Sequence, residues 1–63
     1  MTIEEALKVE DIDIRVSSGS RWLYWEENNE WYVVLEKKYG QRGVTYIGQY
    51  VELSDALDAL LEG

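Results

Sequence analysis

The stretch Arg21-Trp22-Leu23-Tyr24-Trp25-Glu26-Glu27-Asn28-Asn29-Glu30-Trp31-Tyr32-Val33-Val34-Leu35-Glu36 sets two aromatic and aliphatic runs around a polar break. Such residues suit a pleated, half-buried surface, so the runs read as strands, 21–26 and 31–38, joined by a hairpin. Asn28-Asn29 tolerates the left-handed backbone of a hairpin turn. The register decides which face each ring occupies, because a one-residue slip moves a whole strand's set across the sheet.

Working outward, Ile12, Ile14 and Val16 alternate with Asp13, Arg15 and Ser17, as in a half-buried strand, and Ser18-Gly19 suits a tight turn. Downstream, Gly40 to Gly43 marks another turn, and a fourth strand is expected from Val44 to about Val51. Helices are expected at both ends. Thr2 and Glu5 have capping-box spacing, and Ile3, Ala6 and Leu7 share a face. Ser54 reads as an N-cap, and Asp55 suits the helix dipole. Leu53, Ala56, Leu57, Leu60 and Leu61 form an apolar stripe. The expectation is a single small α+β domain over residues 1–63. It is an antiparallel meander of three to four strands, with a short N-terminal helix and a C-terminal helix packed on one face.

Closing the first hairpin on Ser18-Gly19 sets Ile14 opposite Leu23 and Ile12 opposite Trp25. A five-residue connection from Glu26 to Glu30 sets Trp25 opposite Trp31, and the Tyr39–Gly43 connection pairs Leu35 with Ile47. One buried face results: Ile12, Ile14, Val16, Leu23, Trp25, Trp31, Val33, Leu35 and Ile47. The other face then carries Trp22, Tyr24, Tyr32, Val34 and Tyr46, with Arg15 and Glu36 among them. A two-residue turn at Asn28-Asn29 is the alternative; it would exchange Trp22 and Tyr24 with Leu23 and Trp25, and under either register Tyr32 and Val34 stay on the second face. It would also set Glu27 against Glu30, a like-charge pair that costs stability, so the first register is preferred.

Composition limits the chemistry. The 63 residues include no cysteine and no histidine, which removes disulfides, thiol nucleophiles, imidazole bases and the usual zinc sites. The lack of cysteine fits the cytoplasm, which is the compartment expected. No apolar run approaches the roughly 20 residues of a membrane span, and the N-terminus lacks the form of a signal peptide. Asp11-x-Asp13 opens like a calcium loop, but the later ligands and the glycine do not follow. Gly40-Gln-Arg-Gly43 lacks the context of a phosphate loop. No enzyme, cofactor or metal is expected.

The net charge of −7 is uneven: −4 over residues 1–13, +1 over 14–51 and −4 over 52–63. Acidic ends repel a polyanion, so nucleic acid is a poor partner. The three Trp and five Tyr, with no Phe, all fall between Trp22 and Tyr50. Rings that join an apolar body to a polar atom concentrate binding energy at contact surfaces. Sheets also carry them for cross-strand support alone, and Arg15 opposite Trp22 suits an internal cation–π contact.

Trp31-x-Val33-x-Leu35, then Tyr46-Ile47-Gly48-Gln49-Tyr50 leading into Ala56-Leu57, resembles the plant ethylene-response-factor DNA-binding domain and the three-stranded N-terminal domain of some phage integrases. The resemblance covers about residues 20–61 and rests on core positions. It implies an open sheet face that enters a DNA groove, with that family's Trp falling at Tyr46 and two of its arginines at Val44 and Glu36. The basic residues that such binding needs are therefore missing here. The chain also resembles small acidic phage or mobile-element proteins that inhibit nucleic-acid enzymes by mimicking DNA. In that version Glu4, Glu5, Glu10, Asp55, Asp58 and Glu62 would imitate the phosphates. The expected function is a non-enzymatic protein-interaction module that binds another protein, or a second copy as a homodimer, through Trp22, Tyr24, Tyr32, Val34 and Tyr46. The alternative is nucleic-acid binding of the integrase type.

Overall fold

A computed structural model describes residues 2–10, 12–15 and 20–62. The order along the chain is α1 (Ile3–Val9), β1 (Ile14–Arg15), β2 (Arg21–Glu26), β3 (Trp31–Glu36), β4 (Thr45–Tyr50) and α2 (Leu53–Glu62). The strands form one antiparallel sheet in sequence order, and both helices contribute to a core on one of its faces. This is the expected α+β meander with flanking helices. The expected Ser18-Gly19 turn, Val16 and Asp11 lie outside the described residues.

α1 begins as its sequence dictates. Thr2 Oγ1 accepts from the Glu5 N–H at 3.1 Å, satisfying one of the donors a helix start leaves free. Leu7 is its buried contact, while Ile3 is exposed. α2 starts two residues earlier than an N-cap at Ser54 implies: the Ala56 N–H donates to Glu52 O at 3.2 Å, which puts the cap at Glu52. The helix also sits rotated from the expected stripe. Ala56, Ala59 and Leu60 are buried, Leu53 and Leu57 pack against them, and Leu61 faces out.

The hairpin register corrects the preferred reading. β2 and β3 pair Trp25 with Tyr32, Leu23 with Val34 and Glu26 with Trp31, not Trp25 with Trp31. This is the pairing of the rejected register, reached by a different turn. Four residues, Glu27–Glu30, connect the strands, and the Glu30 N–H donates to Glu26 O at 2.8 Å. Glu27 and Glu30 therefore lie in the connection and are not a pair of the ladder. The left-handed residue is Glu30 (φ 56°), not either asparagine.

Strand β3 is consequently inverted against the expectation. Tyr32 and Val34, expected on the open face, are 2% and 0% exposed and lie in the helix-covered core. Trp31, Val33 and Leu35, expected in the core, lie on the other face. Leu23, Trp25 and Ile14 keep their expected side, with Ile14 opposite Leu23. Ile12 is exposed rather than buried. Between β3 and β4 a bulge intervenes, so Leu35 pairs with Tyr46 while Ile47 packs on the core. Gly48 then leaves room for the Tyr50 ring. A Cβ there would stand 2.7 Å from the Tyr50 hydroxyl.

Candidate functional site

One face of the sheet has no helix over it. Strand alternation places there Arg15 from β1, Trp22 and Tyr24 from β2, Trp31, Val33 and Leu35 from β3, and Tyr46 and Gln49 from β4. Each cross-strand row joins neighbours that support one another. Arg15 lies opposite Trp22, with its guanidinium carbon 4.9 Å from the ring centroid, a cation–π contact. Arg15 also pairs with Asp13 at 3.2 Å. Tyr24, Val33 and Gln49 form the central row, and Val33 is buried between its larger neighbours although no helix covers it. Trp22, Leu35 and Tyr46 form the next row. The Tyr46 hydroxyl donates to Gln49 Oε1, joining the two rows at the outer strand.

Of the expected contact residues, Trp22, Tyr24 and Tyr46 occupy this face together, while Tyr32 and Val34 do not. Trp22 and Tyr24 are half-buried, and Tyr46 is 55% exposed. Trp31, Val33 and Leu35 belong to the face and were missed. The signal that finds them is the Glu-Asn-Asn-Glu connection, whose four residues avoid a Glu27–Glu30 pair. Of the positions matched to a DNA-reading face, Tyr46 is on the open face. Glu36 is not; it is half-buried on the covered side, bonded to Arg21 Nε at 2.9 Å.

An open cleft of about 580 Å³ lies on the helix side, where α1, the β2–β3 hairpin and the start of α2 meet. Trp25 and Tyr32 line it, their ring centroids 4.8 Å apart. Lys8 places its ammonium 4.4 Å from the Trp25 centroid and 5.8 Å from that of Tyr32, and bonds Glu4 at 3.0 Å. That bond holds the Glu4 carboxyl below its ordinary value and raises Lys8 above its own. Burial pushes the Tyr32 hydroxyl up. The aromatic seat is thus already filled by a cation of the chain itself, and the cleft's chemistry ties α1 to the sheet. Among the described residues no group of three or more acidic side chains is arranged to hold a metal ion.

No helix among the described residues is long and apolar enough to cross a membrane. Comparison with known protein families finds no match, and neither does comparison with characterised proteins or with solved structures.

Proposed function

We propose that this chain is a small acidic protein-interaction module, not an enzyme, that binds another protein through the open face of its sheet. One observation carries the reading: both helices pack on one side, leaving Trp22, Tyr24, Trp31, Leu35 and Tyr46 together on the uncovered side. Large rings held in place by sheet pairing lose little freedom on binding, so they serve well as anchors.

The net negative charge is concentrated on the helices and their ends. Glu4, Glu5, Glu10, Asp55, Asp58 and Glu62 are all exposed and belong to the helices or their ends, while the sheet supplies the rings. This segregation favours a second reading, in which the acidic helix layer imitates DNA phosphates toward a nucleic-acid enzyme. The two layers are separable by mutation.

The experiment is capture of partners from the native host by the wild type, by Trp22→Ala/Tyr46→Ala and by Glu4→Gln/Asp55→Asn/Asp58→Asn. Each variant's fold is checked by circular dichroism. Loss of the partner with the ring variant alone supports the open face, and loss with the acid variant alone supports the mimic. Binding through rings should change little between about 50 and 500 mM salt. Tight DNA binding that weakens steeply over that range would instead establish the integrase-type alternative.

A further inference from the structure

The two edges of the sheet are treated differently by the sequence. A strand edge presents unpaired N–H and C=O groups, and proteins protect such edges with shortness, charge, proline or bulges. β1 carries charge at this edge: Asp13 and Arg15 pair there, and among the described residues the strand spans two. β4 is the opposite edge, with six residues, none charged and none proline. It sits in residues 43–51, the longest uncharged run of the chain. Its bulge at Ile47 twists the strand but leaves Gly48, Gln49 and Tyr50 in regular register with Val34, Val33 and Tyr32.

We infer that the outer edge of β4 is a self-association site, at which a second copy pairs its own β4 antiparallel across a two-fold axis to extend the sheet. Charge argues for this place, and self-complementarity for this occupant. Two molecules of net charge −7 repel wherever their acidic helix layers meet, and the uncharged edge lets them meet with those layers apart. The edge is also self-complementary. Bulging at Ile47 puts Tyr46 and Gln49 on the same face, so a two-fold pairing centred between Ile47 and Gly48 sets each Tyr46 beside the partner's Gln49. Hydroxyl and amide already bond each other within one copy, and the same groups meet across the axis. The open faces of the two copies become one continuous surface. This inference shares Tyr46 with the face reading but rests on the backbone edge, and it leaves Trp22 and Tyr24 uncovered.

Sedimentation equilibrium over micromolar to millimolar protein tests it, with the salt raised from about 20 to 500 mM. The expected result is a monomer–dimer equilibrium that tightens with salt, since screening removes repulsion between like charges. Thr45→Glu/Gln49→Glu should weaken the dimer at least tenfold, and Trp22→Ala should leave it unchanged. Hydrogen exchange on the wild type provides the readout should the edge variant fail to fold. Amides of residues 45–50 should gain protection as protein concentration rises. A monomer at millimolar concentration in 500 mM salt would overturn the inference. So would a dimer lost on Trp22→Ala but kept in the edge variant, or β4 amides protected only by an added strand-forming peptide.

Discussion

Glu30 carries a left-handed backbone (φ 56°) on a side chain with a Cβ, at the point where the β2–β3 connection rejoins the sheet. Such a conformation costs an L-residue roughly 1–2 kcal/mol, and glycine escapes it. Glu30→Gly should therefore stabilise the protein by about 1 kcal/mol. In urea unfolding the midpoint should rise with an unchanged m-value. Lys8 makes a second prediction. Its bond to Glu4 keeps that carboxyl ionised below its ordinary range, so the contribution is complete above that range and lost as pH falls through the folded-state value. Lys8 and Tyr32 are both raised, so their contributions are complete below about pH 10 and lost as pH rises beyond it. Wild type should thus melt above Lys8→Met by a margin that is widest between about pH 5 and 10. Thermal midpoints that differ equally at all pH values would refute the ion-pair account. At this scale the sequence was legible where a residue acts on near neighbours, as at the Thr2 cap or across one strand pair at Arg15 and Trp22. It was not legible at Glu30, whose conformation depends on where two strands finish pairing.

Among the elements, α2 is joined to the sheet by Arg21. Its Nη1 donates to Ala59 O at 2.7 Å and its Nε to Glu36 at 2.9 Å. Ala59 lies in the last turn, where helix carbonyls lack internal partners and a cation is favoured. A guanidinium reaches both acceptors in one geometry, which an ammonium does not. Arg21→Met should cost about 1.5–3 kcal/mol, the range for bonds to a charged group, because it also leaves the half-buried Glu36 carboxylate without this partner. Urea unfolding measures it, and Arg21→Lys should recover only part of the loss. Nothing in the chain announces this contact, since 38 positions separate its partners. Helical periodicity and the cap did place α2 within two residues. Its rotation, with Ala59 inward and Leu61 outward, followed from the room the sheet leaves.

The whole molecule is a two-sided object with a net charge of −7. Self-repulsion destabilises a compact state, and salt screens it. At micromolar concentration the thermal midpoint should rise by several degrees from about 20 to 500 mM sodium chloride, since about 1 kcal/mol moves a domain of this size by roughly 4–8 °C. A midpoint that falls with salt would mean that ion pairs such as Arg21–Glu36 outweigh the net repulsion. The elements, their order and the antiparallel meander were determined by the sequence alone, because period, turn residues and caps act within a few positions. So was the side of Leu23 and Trp25 relative to Ile14. Which side Tyr32, Val34, Trp31 and Leu35 take was decided only by the tertiary structure. The two registers differ by one residue, local pattern suits both, and the choice falls to the side on which Leu7, Ala56 and Leu60 bury Val34 and Tyr32.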